Sequence, residues 1–186
     1  MACRPNIEAR QEEVMRHQHE KIFLALAVLM MVLIFISSSM TYHQQTIVPE
    51  INQFNFDWLR KWLAPISINY AGHVYSIKTE GLAGMIEFLL RKTAHFGNNL
   101  LLGLFAYLGL TSAVPKFGLR ALLVWLSATG YAATDEFHQL LTGDRTPMIQ
   151  DVMLDSSGAL VGVLLAMLIA ALIVHHQRTR GGLRFR

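Results

Sequence analysis

The stretch Asp135–Gly162, DEFHQLLTGDRTPMIQDVMLDSSGALVG, joins the end of one apolar segment to the start of the next. It holds five acids, an arginine, a histidine and two glutamines, in a chain otherwise poor in charge at that depth. Ionisable groups beside hydrocarbon are costly, so they tend to face a bundle interior and to mark function. The flanks of the stretch decide the fold. Hydrophobic residues make up 53% of the 186-residue chain and charged residues 16%, against about 25% charged in soluble domains. A helix needs about 20 residues to cross a bilayer. Four segments approach that length: Ile22–Met40, Ala94–Ala113, Leu119–His138 and Val152–Val174. The expected fold class is all-α, a polytopic membrane protein with four transmembrane helices and a long extracytoplasmic loop after the first.

Outward from these segments the chain divides into a polar arm at 1–21, a membrane domain at 22–174 and a basic tail at 175–186. The first apolar run ends in Ser37-Ser38-Ser39, as a signal peptide can, but the long leader with its acids favours an uncleaved anchor. The loop at 41–91 is too long to lack structure. In it Ile51, Phe54, Trp58 and Trp62 fall at helical spacing, which suggests a short amphipathic helix in the membrane interface or a cap over the bundle mouth. Pro65 ends that pattern, HVYSIKTEG is poorly patterned, and Leu82–Leu90 turns helical and leads into the second apolar segment.

The net charge of +3 is not a nucleic-acid signal, because the excess lies in a tail (Arg178, Arg180, Arg184, Arg186) with no aromatic interleaving. No nucleic-acid partner is expected. A single cysteine, Cys3, excludes an intrachain disulfide and a cysteine-based metal cluster. Both termini and the short turn with Lys116 and Arg120 are basic. The positive-inside rule then puts both termini of a multi-pass membrane protein in the cytoplasm. Lys92, His95, Asp135, Glu136, Arg145, Asp151 and Asp155 accordingly come to one outer level.

Helical spacing gathers Lys92, His95 and Asn99 on one face of the second segment. Tyr131, Asp135, His138 and Gln139 bunch near the end of the third, and Asp151 and Asp155 open the fourth. Gly158 and Gly162 continue that last stripe as a GxxxG, which permits close helix approach. The constellation admits three readings. As a lock, Lys92 pairs with Asp135 or Glu136 and Arg145 with Asp151. As a site for an anionic, amphiphilic envelope molecule, Lys92, Asn99, Asp135, His138, Gln139, Arg145 and Asp151 bind it. In that site His95 is the candidate acid or base, oriented by Glu136 or Asp155. As a divalent-metal site it would use Asp135, His138, Asp151 and Asp155, without diagnostic spacing and with two cations competing. No GxSxG, HExxH or P-loop occurs, so no reaction class, resident metal or cofactor is indicated.

Lys92-x-x-His95, Asp135-Glu136-x-His138-Gln139, Arg145 and Asp151-x-x-x-Asp155-x-x-Gly158, in that order, resemble the VanZ-like family over about 90–168. Here Asn98 and Asn99 stand in the region where that pattern often has a tyrosine one turn after the histidine. The resemblance implies a bacterial multi-pass membrane protein with a part in resistance to, or tolerance of, the glycopeptide teicoplanin. The partners expected are a membrane lipid or lipid-linked cell-wall precursor, and a glycopeptide antibiotic.

Overall fold

The computed structural model describes residues 7–141 and 148–182. Four long helices dominate: α1 (Ile7–Ser38), α5 (Ile77–Gly109), α6 (Phe117–Leu141) and α7 (Ile149–Gly182). Between the first two lie the short helices α2 (Tyr42–Gln45), α3 (Val48–Ile51) and α4 (Asp57–Leu63), then β1 (Ser67–Tyr70) and β2 (His73–Ser76). Ser38 meets His138, Lys92 meets Asp151, and Glu20 meets Ser112 just beyond α5. Thus α1 and α6 run one way while α5 and α7 run the other. Glu13–Ser38 and Ile149–His176 are long and apolar enough to cross a membrane, each holding an 18-residue window of mean hydropathy 2.5 and 2.7 respectively. The polar residues near the start of α5 and the end of α6 dilute those two helices.

The loop has more order than its sequence pattern suggests. The aromatic stripe is split, with Ile51 closing α3 while Trp58 and Trp62 lie on α4. Phe54, Trp58 and Trp62 are exposed. The stretch HVYSIKTEG, without clear pattern in sequence, holds β2 and the start of α5. β1 and β2 pair antiparallel from Ser67↔Ser76 to Tyr70↔His73. That leaves Ala71 and Gly72 as a two-residue turn, with φ of 52° and 81°. A hairpin turn with both central residues at positive φ matches the right-handed twist of its strands. Ser76 then starts α5 through a capping box with Thr79, satisfying two backbone donors that the helix end leaves open.

α5 packs chiefly on α7, and small residues make the approach close. A Cβ at Gly158 would fall on the Phe96 carbonyl, one at Gly162 on the Leu100 carbonyl, and one at Gly103 on the Ala159 carbonyl. The GxxxG therefore sits at a backbone-to-backbone contact, flanked by Ala159, Val163 and Ala166, which are at most 1% exposed. α6 adds a polar clamp to α7: Trp125 Nε1 donates to Ser156 Oγ at 3.0 Å, and the Thr129 and Ser156 hydroxyls lie 2.8 Å apart.

This contact makes the glycines unequal. Gly162→Ala should destabilise the protein by about 1–3 kcal/mol, the usual cost of overpacking a tight site. Gly130→Ala, whose Cβ meets nothing within 4 Å, should be neutral or stabilising by roughly 0.5–1 kcal/mol through helix propensity. Thermal unfolding of both variants in one detergent checks the order; equal melting temperatures would contradict the packing.

Candidate functional site

The polar residues converge at the end of the bundle formed by the start of α7, the end of α6, the first half of α5 and the end of α1. They surround a cavity of about 320 Å³, within the range of small-molecule sites, about 300–1,000 Å³. His95, Asn99, Asp135, Glu136, Gln139 and Asp151 are part of its wall. Ile34, Phe88, Ala94 and Met148 add apolar surface to the wall.

Asp151 lies in the first turn of α7, where a carboxylate suits the positive end of the helix dipole. Its Oδ1 accepts from Lys92 Nζ at 2.5 Å and from the Tyr70 hydroxyl at 2.5 Å. Lys92 Nζ also stands 4.3 Å from the centre of the Tyr70 ring. One turn on, Asp155 faces His95, with Nδ1 3.2 Å from Oδ1. Asn99 Nδ2 donates to the His95 carbonyl at 3.2 Å. On α6, Gln139 Nε2 donates to Asp135 Oδ2 at 3.1 Å. Glu136 Oε1 accepts from the Met148 backbone N–H at 2.6 Å, so it caps the start of α7 from a neighbouring helix.

Several pairings differ from those expected. Lys92 binds Asp151 rather than Asp135 or Glu136, because parallel packing of α5 and α7 sets residue 92 beside 151. Of the two carboxylates expected to orient His95, it is Asp155 that meets it. His138 turns toward α1: its Nδ1 lies 3.0 Å from Ser38 Oγ and its ring stacks on Phe35 at 4.8 Å. It is not part of the cavity wall, since residue 138 falls on the α1 side of α6 while 135, 136 and 139 face inward. Arg145, the expected anion contact, lies outside the described residues. Among the described residues no three His, Cys, Asp or Glu side chains are grouped so that they could hold a metal ion.

Two further residues, Tyr70 and Glu87, shape the surroundings of the cavity. Tyr70 comes from the hairpin, 81 residues before its partner Asp151. Glu87, 4% exposed, accepts from Thr46 Oγ1, Ile47 N and Val48 N at 2.8, 3.0 and 3.1 Å. It also pairs with Arg91 at 2.9 Å. Glu87 thereby ties the loop down beside the cavity, and an acid one turn before a basic residue was its only sequence trace.

These features define a helical membrane protein with a polar cavity at one end of its bundle. Its sequence matches the VanZ/LLP1 family over residues 23–170. That is most of the chain, and the chain belongs to this family. No curated protein and no solved structure matches it.

The Lys92–Asp151 pair is largely buried, with side chains 19% and 9% exposed. Lys92→Met should cost about 3–5 kcal/mol, because it leaves a buried carboxylate without its cation. Adding Asp151→Asn should return most of that loss, as thermal unfolding can show; no recovery would mean the two do not act as a pair.

Burial, then the hydrogen bond to Asp151 and that carboxylate's charge, push the Tyr70 phenol up. Raised in the folded state, it contributes stability present below its unfolded value, about 10, and lost as pH rises beyond that value. Tyr70→Phe should flatten the fall in stability above that pH. An unchanged slope would count against the Tyr70–Asp151 contact.

Proposed function

We propose that this VanZ-like protein crosses the bacterial cell membrane four times with both termini in the cytoplasm. In this reading its cavity, at the extracytoplasmic face, binds the head group of an amphiphilic envelope molecule. The observation that carries it is a roomy cavity whose wall combines ionisable and apolar side chains. A simple lock of ion pairs would close on itself and leave no such space. Exposed apolar side chains on α1 (Val28, Leu29, Val32) and α7 (Leu164, Leu168, Leu172) support contact with lipid. The basic flanks at both termini support the orientation. A lipid or lipid-linked cell-wall precursor suits this arrangement, with its tail along the helices and its head in the cavity. Family membership motivates the physiological outcome, tolerance of glycopeptides such as teicoplanin. The anionic head group first expected depended on Lys92 and Arg145; Lys92 is occupied by Asp151, which weakens that form of the reading.

The His95–Asp155 contact favours a second reading. A carboxylate on Nδ1 orients an imidazole and selects its tautomer, as in acid–base catalysis. His95 would then move a proton on the bound molecule, and His95→Gln should abolish function while leaving binding intact.

Ala94 is exposed and lines the cavity, so Ala94→Trp should fill it without removing a polar group. Native mass spectrometry of wild-type protein from membranes should show a retained envelope amphiphile that the variant lacks. The variant should also lose any glycopeptide tolerance that the wild type confers. Equal retention in both proteins would refute the site. Reporter fusions add a check on orientation: cytoplasm after the C-terminus, outside at Gly72. A reversed pattern would put the cavity on the wrong face.

A further inference from the structure

We infer that the head group taken by this cavity carries a hydrogen-bond-donating cation, an ammonium borne on an apolar tail, rather than a phosphate or carboxylate. The inference rests on the amphiphile-binding reading above and names the chemistry of its ligand. The wall presents five carboxylates, those of Glu80, Glu87, Asp135, Glu136 and Asp151, against the cations of Arg91 and Lys92. Both cations are engaged, Lys92 with Asp151 at 2.5 Å and Arg91 with Glu87 at 2.9 Å. In sequence the stretch 142–147 is formally neutral, since Asp144 and Arg145 cancel. His95 faces Asp155, a further acid at the edge of the same group.

The second observation concerns hydrogen bonds rather than charge. Asn99 Oδ1 and Asp135 Oδ1 are buried acceptors with no hydrogen-bond partner among the described residues. Their residues are only 2% and 7% exposed. Ser38 is close enough to influence Asp135, but its one hydroxyl proton is directed to the Phe35 carbonyl or shared with His138. The two acceptors belong to different helices, α5 and α6, and their residues line one cavity. Buried acceptors without donors are costly, so they specify what completes them. An ammonium offers N–H donors and no acceptor, and its charge offsets surplus carboxylate. A phosphate diester offers acceptors alone and adds negative charge to a wall already rich in carboxylates. Water entering the cavity could satisfy the acceptors but would leave the surplus charge.

The test uses the full chain in phosphatidylcholine nanodiscs, whose own head group has no N–H donor. Octylammonium, octyl phosphate, octyl glucoside and ethylammonium are titrated calorimetrically against empty nanodiscs. Octylammonium should bind saturably, ethylammonium more weakly for want of a tail, and octyl phosphate without saturation. Asp135→Asn and Asn99→Ala lie on separate helices, so one remains informative if the other fails to fold. Each should weaken octylammonium binding by about tenfold or more. Saturable octyl phosphate binding of equal strength would overturn the inference. So would octylammonium binding that survives both substitutions, or saturation by octyl glucoside alone. Ethylammonium binding as tightly as octylammonium would remove the tail from it. If none of the octyl probes saturates, the amphiphile-binding reading itself fails, and this inference with it.

Discussion

The backbone contact between α5 and α7 sets the register on which the site depends. Gly158 and Gly162 lie against the carbonyls of Phe96 and Leu100, so the helices meet without side chains between them. In membranes, where lipid is as apolar as leucine, small residues that allow such approach are a main source of helix association. The helices run in parallel, so one offset carries along the interface. Lys92 meets Asp151 at a separation of 59 residues, and His95 meets Asp155 at 60. A bulky residue at Gly158 would misalign both pairs, although it touches neither.

The loop between α1 and α5 completes what the long helices begin. Glu87 collects three donors from residues 46–48, and Tyr70 reaches Asp151 from the hairpin. Tyr70 also lies edge-on to Phe88, and Tyr75 stacks on the same ring at 3.9 Å. The loop is therefore held by apolar packing and by charge-assisted hydrogen bonds, the stronger kind. Its exposed Trp58 and Trp62 remain on α4, where tryptophan suits a membrane–water boundary.

The opposite end of the bundle uses its buried charges differently. Arg120, 5% exposed, donates to the Thr111 and Val114 carbonyls at 3.1 and 3.3 Å and lies over the Tyr107 ring at 4.2 Å. Its guanidinium satisfies carbonyls in the turn after α5, which a helix end otherwise leaves open. Glu20 accepts from Ser112 at 2.7 Å. These contacts tie helix ends to one another. Among the described residues, the unpartnered buried atoms Asn99 Oδ1 and Asp135 Oδ1 at the cavity end are acceptors facing a cavity, whereas at the opposite end Arg120 Nε is a donor packed over an aromatic ring.

The sequence by itself determined the helical class, the polar level shared by Lys92, His95, Asp135, Glu136, Asp151 and Asp155, and the family. Hydrophobic length and helical period are local properties and can be read without coordinates. The GxxxG was legible as a motif but not as a contact, because the same spacing does not say which helix it meets. Only the tertiary structure decided the pairings. Lys92 could have met Asp135, Glu136 or Asp151 on charge alone, and the α5–α7 register chose Asp151. Tyr70 and Glu87 were hidden for a related reason, since each acts across 39 or more residues. A hydrogen bond over that distance leaves no periodic trace; it exists because folding brings the hairpin and the start of the loop onto α5 and α7.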